Sequence, residues 1–284
     1  MSPSAEAHPL PPDSHVHSEW SWDALAGSME RTCERAVEIG LPSVAFTEHA
    51  DFTSWILRED TPIPDGWQVL VSDLVLTAPE FDLDGYQESL ERCRDRFKGL
   101  RILSGVELSE PHRHGHRVGE LLTRGRFDRV LGSVHSLAID GGFAEILDLY
   151  PDRPAAALVR DYLAEARRMI DGFGDFEVLA HIDYPIRYWP AGAGPYDPAA
   201  FEDDYREVLR ALAGSGRALE INTRVPLDPL VVRWWFQEGG RAVTFASDAH
   251  EPLALARGFA EATAMAESCG FRPGSHPDDF WTRR

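Results

Sequence analysis

Side chains of the types that bind metal ions recur in this sequence at the ends of short segments. There are seven such segments, namely Asp13-Ser14-His15-Val16-His17, Phe46-Thr47-Glu48-His49, Gly105-Val106-Glu107, Gly132-Ser133-Val134-His135, Ala180-His181-Ile182-Asp183, Glu220-Ile221-Asn222 and Ser247-Asp248-Ala249-His250. In four of them an apolar run rich in Val, Ile, Leu or Phe leads directly into the ligand-type residue, as in a buried strand that ends at a catalytic rim. The recurrence predicts a barrel that carries several metal ions.

Two pairs of these residues have the spacing that lets both members bind one ion. His15 and His17 are two positions apart, as are Asp248 and His250, and on a strand such residues point the same way. The carboxylate of Glu107 adds a group that can bridge two ions. Histidine and carboxylate ligands without cysteine favour Zn, Mn or Fe over a structural cysteine site.

Such a cluster predicts the hydrolysis of a phosphate ester. Two closely spaced cations lower the pKa of a shared water, so that hydroxide exists at neutral pH. This metal-bound hydroxide would attack phosphorus in line while the ions neutralise charge on the other oxygens. The chain also lacks the P-loop pattern that indicates nucleotide hydrolysis.

The segments alternate with stretches of helical spacing. Helices are predicted over Asp23–Ile39 and Asp84–Phe97, and Asp197-Pro198 and Asp228-Pro229 each predict a helix start. The predicted strands lie near residues 13–17, 43–47, 101–107, 129–134, 177–181, 217–222 and 241–247. This alternation predicts an α/β fold with a parallel sheet, and ligands at every strand end favour a closed barrel over an open sheet.

The length of 284 residues and the hydrophobic share of 43% suit one barrel domain. We assign this domain to residues 13–270, between a flexible arm at 1–12 and a C-terminal tail at 271–284. Residues 50–83 contain no clear element and are predicted to be a lid over the site. The arm does not resemble a signal peptide, and no apolar run is long enough to span a membrane.

The formal net charge is -19, and no stretch of the chain forms a basic stripe. This balance argues against long nucleic acids as partners. It suits a small substrate that carries a positive charge as well as a phosphate. The three cysteines are far apart and odd in number, which is typical of reduced thiols and favours a cytoplasmic protein.

The ordered motifs Asp-x-His-x-His, Thr-Glu-His, Gly-x-Glu, Gly-Ser-x-His, His-x-Asp and Ser-Asp-x-His resemble those of the PHP superfamily, named for polymerase and histidinol phosphatase domains. The resemblance runs from Asp13 to His250. It implies a distorted seven-stranded (β/α)7 barrel and three metal ions held by nine ligands. These ligands would be His15, His17, Asp23, His49, Glu107, His135, His181, Asp248 and His250.

The resemblance also implies how these ligands are shared. The first ion would take His15, His17, Glu107 and Asp248, the second Glu107, His135 and His181, and the third Asp23, His49 and His250. Relatives often have histidine at the position of Asp23, which could instead cap the following helix. Glu107, Asp183 and Asp248 are the predicted catalytic residues. The histidines at 112, 114 and 116 are interpreted as part of a solvated loop.

Five residues are predicted to contact the substrate. Arg187 and Arg224 would bind phosphate, because a guanidinium group matches two phosphate oxygens. Arg224 and Asn222 belong to a segment that resembles the Glu-x-Asn-Thr segment of histidinol phosphatases. Glu19 and Phe52 would contact a cationic amino alcohol.

Together these features predict a metal-dependent phosphomonoesterase, and the resemblance implies L-histidinol phosphate, a substrate of histidine biosynthesis. One alternative is a phosphodiesterase or exonuclease that acts on nucleotides or short oligonucleotides. Another is a non-catalytic metal-binding regulatory module. The residues leave open the native metal, the oligomeric state, the general acid for the leaving group and whether 50–83 moves.

Overall fold

The computed structural model describes residues 10–284. Most of the predicted arm, residues 1–9, lies outside the described residues. Pro11 and Pro12 are buried, and Leu10 packs against the main hydrophobic core. The last residues of the predicted arm therefore belong to the folded domain.

The described chain alternates strands and helices. The strands are β1 (Asp13–Val16), β2 (Ser43–Ala50), β3 (Trp55–Ile56), β4 (Val71–Ser72), β5 (Val75–Leu76), β6 (Arg101–Ser109), β7 (Arg129–Ser133), β8 (Ser136–Ile139), β9 (Gly142–Glu145), β10 (Val178–Leu179), β11 (Ala218–Asn222), β12 (Ala242–Ala246), β13 (Phe271–Arg272) and β14 (Trp281–Arg283). The helices are α1 (Met29–Glu38), α2 (Leu83–Arg96), α3 (Gly115–Arg124), α4 (Ile146–Leu149), α5 (Ala155–Gly172), α6 (Glu202–Ser215), α7 (Pro229–Gln237) and α8 (Phe259–Ser268).

The main sheet is parallel along most of its width, in the order β1-β2-β6-β7-β10-β11-β12. Its two ends come together because the sheet curls. Val16 forms a bridge with Ala249, and the amide of Asp248 donates to the carbonyl of His15 at 2.9 Å. The buried carboxylate of Asp13 also accepts from the amide of Ser247 at 3.0 Å. All carboxyl ends of these strands therefore face one rim.

The predicted strands agree with the observed ones, and Asp228 caps α7 as predicted. Asp197 caps a 3-10 helix, Pro198–Phe201, that precedes α6, and α1 begins later than predicted. Its first residue is Met29, and the Ser28 side chain accepts from the amide of Arg31. Residues 23–28 form turns instead. Gly27 lies so close to the backbone of Ser18 that an added Cβ would be 2.6 Å from the Ser18 carbonyl carbon. This close approach bends the chain and frees Asp23 from the helix.

The segment 271–284 is not a separate tail. It contributes β13 and β14, and β14 pairs antiparallel with β12. Phe271 is 0% exposed and Trp281 is 5% exposed. Burial of these two aromatic side chains attaches the segment to the domain, so the boundary predicted at residue 270 is wrong.

Residues 50–83 form a small unit over the rim. Strands β3, β5 and β4 make an antiparallel sheet, and Asp65–Leu70 is a 3-10 helix. Trp55, Leu57 and Leu76 pack with Trp22 and Trp67 into a second hydrophobic cluster. Among residues 10–284, no helix combines the length and apolar character that crossing a bilayer requires.

Candidate metal centre

The nine predicted ligands lie at the carboxyl ends of the parallel strands or just beyond them. His15, His49 and Glu107 are in β1, β2 and β6. The others follow β1, β7, β10 and β12, and they are His17, Asp23, His135, His181, Asp248 and His250. Seven of the nine belong to the buried polar class, and Asp23 and His250 are partly exposed. The curled sheet therefore gathers residues that are as far apart in sequence as 15 and 250.

Glu107 is the centre of this group, and its two carboxylate oxygens face different histidines. Oε1 lies 2.8 Å from His181 Nε2 and 3.3 Å from His135 Nε2. Oε2 faces three further imidazoles: it is 3.0 Å from His15 Nε2, 3.2 Å from His49 Nδ1 and 3.4 Å from His17 Nε2. This arrangement fits a carboxylate shared by two cations.

Asp23 lies with the third predicted ligand group and does not cap α1. Its Oδ2 is 3.0 Å from His250 Nε2 and 3.4 Å from His49 Nε2. Its Oδ1 is buried and has no hydrogen-bond donor among residues 10–284. Asp248 approaches the first group, with Oδ1 at 3.5 Å from His17 Nε2.

The donor atoms fit metal ions rather than hydrogen bonds alone. His15 Nε2 and His17 Nε2 are 3.0 Å apart, and His135 Nε2 and His181 Nε2 are 3.3 Å apart. Two neutral imidazole nitrogens that face each other can share one proton at most, whereas a cation accepts both lone pairs. Four sets of three residues have all their ligand atoms within 4.8 Å, namely His17, His49 and His250; His15, Glu107 and His181; His15, His17 and Asp248; and His49, Asp51 and His135.

The ionised carboxylates of the cluster also favour the binding of cations. Burial opposes ionisation of Glu107, but His15 and His49 hold its pKa well below the usual range. Burial lowers the pKa of His181 to about 4. Burial acts against the charged form of His49 as well, yet Asp23 and Glu107 raise its pKa to about 10. Ionised carboxylates thus favour positive charge in this buried site, and bound cations would supply it.

A layer of polar residues behind the cluster fixes the imidazole rings. Glu220 Oε2 lies 2.8 Å from His15 Nδ1, and Glu220 Oε1 accepts from the amide of His181 at 3.0 Å and from Asn222 Nδ2 at 2.8 Å. His17 Nδ1 lies 2.9 Å from Ser21 Oγ. Such contacts set the orientation and basicity of a ligand. Asn222, predicted to bind substrate, therefore belongs to this supporting layer.

Both predicted phosphate-binding arginines line the cavity over the cluster. Arg187 donates to Asp248 Oδ2, and its guanidinium lies 4.8 Å from the ring centroid of Tyr184. Arg224 Nη1 is 3.5 Å from Asp248 Oδ1 and 3.0 Å from His250 Nδ1. Two guanidinium groups therefore lie beside the predicted metal ligands and face the same cavity.

Three other predictions disagree with the structure. The exposed Glu19 accepts from the amide of Met29 at 2.5 Å and so holds the start of α1. Phe52 packs under Arg117, whose guanidinium is 4.4 Å from the ring centroid. Neither residue lines the cavity, and Asp183 does not line it either. Phe52 packs against a small hydrophobic cluster formed by Ala50, Val106, Leu108 and Val118, whereas its neighbour Asp51 lines the cavity.

The cavity has a volume of about 280 Å³, and its lining residues form two chemically different groups, which we call its two ends. The ligand cluster and the arginines form one end. The other end is lined by residues that the sequence did not single out, among them Trp22, Glu145 and Asp148. Tyr184 lies between the two ends, because its ring centroid is 4.8 Å from that of His135 and its hydroxyl donates to Glu145. Two further tryptophans, Trp55 and Trp67, come from the insertion 50–83.

The acidic residues at this second end have neutral partners. Glu145 accepts from the Tyr184 hydroxyl at 2.6 Å and from the amide of Leu147 at 3.3 Å. Burial raises the pKa of the Glu145 carboxyl to about 7. Asp148 accepts from the Thr61 hydroxyl, and burial raises its pKa as well. A cationic ligand would stabilise the ionised form of both groups.

The histidines at 112, 114 and 116 do not all lie in a solvated loop. His112 Nε2 is 2.9 Å from Glu165 Oε1, and His114 Nε2 is 2.7 Å from the Thr53 hydroxyl. Only His116 of the three is exposed. The interpretation as a solvated loop is therefore wrong for His112 and His114.

Comparisons with known proteins agree with this architecture. A family model described as "PHP domain" matches residues 13–224. The chain is 28% identical over 249 residues to a histidinol-phosphatase of Lactococcus lactis, covering 84% of this chain and 83% of that protein. It is 28% identical over 256 residues to a probable histidinol-phosphatase of Thermotoga maritima, covering 88% of each chain.

Solved structures share the fold. The crystal structure of histidinol phosphate phosphatase from Lactococcus lactis, complexed with Zn, L-histidinol and phosphate, has a TM-score of 0.75 at 24% identity and covers 93% of this chain and 95% of its own. A putative histidinol phosphatase from Listeria monocytogenes has a TM-score of 0.68 at 17% identity, covering 88% of this chain and 99% of its own. At these identities the similarity shows a common fold.

Proposed function

Because the chain belongs to the PHP domain family, as the match over residues 13–224 shows, we propose that it is a metal-dependent phosphomonoesterase that hydrolyses L-histidinol phosphate. The products would be L-histidinol and inorganic phosphate. The observation that carries this proposal is a single cavity with metal ligands and arginines at one end and acidic residues at the other. The names of the relatives support the same substrate.

The nine predicted ligands would hold three metal ions in the arrangement given above, with Zn, Mn or Fe as candidates. Bound cations would lower the pKa of a water molecule and neutralise phosphate oxygens. Glu107 would tie two ions together, because each of its oxygens faces different imidazoles. Asp51 lies with His49 and His135 and adds a carboxylate next to this site.

Arg187 and Arg224 would hold the phosphate oxygens that face away from the ligands. Arg187 is tied to Asp248, so its position depends on the same residue that approaches the ligand histidines. Asp183 was predicted to be catalytic, but it does not line the cavity. Burial raises its pKa to about 7, and the positive charge of Arg187 opposes this shift. We therefore do not assign proton transfer to Asp183, and its recorded link to Arg187 is electrostatic.

The opposite end would receive the organic part of the substrate. L-histidinol carries an ammonium group and an imidazole ring. Glu145 and Asp148 would accept hydrogen bonds from these nitrogen atoms, and the tryptophans would contact the ring. Histidinol phosphate carries opposite charges on its two ends, which matches a cavity with one cationic and one acidic end.

We also propose that the curled sheet is the distorted (β/α)7 barrel of the PHP type. The support is the parallel order from β1 to β12 and the bridge from Val16 to Ala249. The reaction would belong to histidine biosynthesis in the cytoplasm. The three cysteines Cys33, Cys93 and Cys269 are free thiols, which fits a reducing compartment.

The test is phosphate release by protein loaded with Zn or Mn. We expect kcat/KM for L-histidinol phosphate to exceed that for a nucleoside monophosphate by about 100-fold or more, because only the former fills both ends of the cavity. A phosphodiester should be hydrolysed poorly. A nucleotide or diester as the better substrate would overturn the proposal. Thorough chelation should abolish activity and metal add-back should restore it.

A further inference from the structure

The turn that carries His135 is held by side chains of another loop. His135 follows the end of β7, and its carbonyl accepts from the amide of Ile146 at 3.0 Å. Its amide, and that of Ser136, donate to the same carboxylate oxygen, Glu110 Oε1, at 2.6 Å and 2.8 Å. A buried carboxylate thus replaces the sheet as the partner of two successive amides.

Arg113, three residues after Glu110, holds the remaining polar groups of Ser136. Its Nη1 donates to the Ser136 hydroxyl at 3.0 Å, and its Nη2 donates to the Ser136 carbonyl at 3.1 Å. Arg113 Nη1 also lies 3.6 Å from Glu110 Oε2. On its outer side Arg113 Nε donates to Glu165 Oε1 at 3.0 Å. The carboxylate and the guanidinium together form a clamp on residues 135 and 136.

Glu110 adopts a conformation that its residue type disfavours. It is fully buried, and its backbone is left-handed, with φ 44° and ψ 51°. Such a conformation in a non-glycine residue persists only where the surroundings determine it. Its amide donates to the Ser133 carbonyl at 2.8 Å, and its Oε2 accepts from the Thr53 hydroxyl at 3.2 Å. The strained turn aims the carboxylate at the His135 amide.

We propose that Glu110 and Arg113 are positioning residues that fix His135 for metal binding. Strand β6 carries Glu107, and its direct continuation carries Glu110, so one short segment sets both the shared carboxylate and the backbone of the histidine that faces it. Ser109, in the same segment, lies 2.9 Å from His135 Nδ1 through its hydroxyl. The segment therefore holds His135 at its ring and at its backbone.

This inference rests on the proposed metal centre and not on the identity of the substrate. The test compares Glu110→Gln with Glu165→Gln, which removes a carboxylate from the outer side of Arg113 and leaves residues 135 and 136 in contact with Glu110. The glutamine at position 110 keeps one acceptor oxygen and places an amide donor beside the Arg113 guanidinium. Elemental analysis after dialysis against a graded chelator measures the ions held per chain.

We expect Glu110→Gln to release one class of ion at about 10- to 100-fold lower chelator concentration than the unaltered protein, with a comparable loss in kcat and little change in KM. Glu165→Gln should retain its ions. Excess metal should restore part of the kcat of Glu110→Gln. Should Glu110→Gln not fold, Arg113→Lys, which loses one of the two bonds to Ser136, should show the same effect in smaller degree.

Two results for the variants would overturn the inference. One is normal ion retention in Glu110→Gln and Arg113→Lys. The other is an equal loss of ions in Glu110→Gln and Glu165→Gln, together with an equal loss of thermal stability in the metal-free forms of both variants. This combination would indicate that Glu110 has a structural role alone. If the unaltered protein holds no ions at all, the proposed metal centre fails, and the inference with it. A wrong substrate would leave the ion measurements unchanged.

Discussion

The two ends of the cavity are built in different ways. At the metal-ligand end, side chains come from the carboxyl ends of the parallel strands of the main sheet, and second hydrogen bonds from Glu220, Ser21 and Ser109 hold the rings. At the other end, the wall comes from two-residue strands and a 3-10 helix. Its tryptophans hold each other through contacts such as that of Trp22 with Trp67, whose ring centroids are 4.8 Å apart.

This difference in construction indicates that the metal-ligand end serves the reaction and that the other end serves the choice of substrate. A ligand cluster must be held within a fraction of an ångström, which sheet and supporting hydrogen bonds provide. A wall that contacts an organic group tolerates change, because apolar contacts are not directional. We therefore expect substitutions at the strand ends to affect turnover for every substrate and substitutions in the wall to affect the choice among substrates.

The largest effect is expected at the centre of the ligand cluster. Replacing Glu107 by Ala removes the carboxylate that faces five imidazoles and should lower kcat by more than about 100-fold, since even supporting residues cost about 10- to 100-fold. Elemental analysis should show fewer ions per chain. Glu177→Gln, at the opposite end of the sheet beside Arg129, is the control. Near-normal turnover of Glu107→Ala would exclude the shared-carboxylate role.

The next effect concerns phosphate binding. Arg224→Ala should weaken phosphate binding by about 10- to 100-fold, because a hydrogen bond to a charged group contributes roughly 1.5–3 kcal/mol. KM should rise by a larger factor than kcat falls, and the inhibition constant of inorganic phosphate should rise in parallel with KM. Arg187→Ala should lower kcat as well, since Arg187 also holds Asp248. An unchanged inhibition constant in Arg224→Ala would contradict the assignment.

A smaller and more selective effect is expected in the wall. Trp67→Leu should lower kcat/KM for L-histidinol phosphate by about 10-fold more than for ethanolamine phosphate, which has no ring to contact the wall. Val69→Ala, in the same 3-10 helix and 88% exposed, provides the control. Equal losses for both substrates would mean that the wall supports the cluster rather than selecting the ring.

The smallest effect is a change in pH dependence at the acidic end. Burial raises the pKa of Glu145 to about 7, so its carboxylate forms as the pH rises through this value. The KM for L-histidinol phosphate, relative to that of Glu145→Gln, should therefore fall a few-fold between about pH 6 and pH 8. A constant ratio across this range would show that Glu145 does not contact the cationic group.

The same shift has a consequence for stability. The folded protein binds the Glu145 proton more tightly than the unfolded chain, where the pKa is 4.5. The stabilisation is therefore full below about pH 4.5 and is lost as the pH rises through about 7. As the pH rises from about 4.5 through about 7, the Tm of the metal-free protein should therefore fall relative to the Tm of metal-free Glu145→Gln.

The ligand-type residues at the strand ends could be identified from the sequence because strand geometry is local, and the family resemblance supplied the set of nine. Residues two positions apart point the same way on a strand, so the pair His15–His17 carried its geometry in its spacing. The pair Asp248–His250 lies beyond β12, and Asp248 has a left-handed backbone with φ 52°. The two residues therefore approach different ligand groups, Asp248 near His17 and His250 near Asp23. Asp23 needed the family resemblance, because its own neighbourhood equally permits a helix cap. From the sequence, Glu220 could be identified only as a polar residue in its strand, and its role as the partner of His15 could not. Its spacing from Asn222 does place both residues on one face of the strand.

Other features depend on contacts between distant parts of the chain. Glu19 and Phe52 follow ligand segments directly, yet one holds α1 and the other lies under Arg117. Glu145 and Asp148 reach the cavity although no ligand motif adjoins them. Glu110 precedes the histidines that were interpreted as a solvated loop, yet it is fully buried. In each case neighbours in sequence are poor guides, because a turn sends adjacent residues to opposite sides.

The amino-acid sequence by itself determined the family, the parallel α/β architecture and the residues that converge at the rim, because strand periodicity and ordered motifs are properties of short segments. Only the tertiary structure decided which groups close the other end of the cavity, what holds His135 in place and where the last residues pack. Those features are set by the curl of the sheet and the path of its loops, which bring together side chains whose separation along the chain contains no local signal.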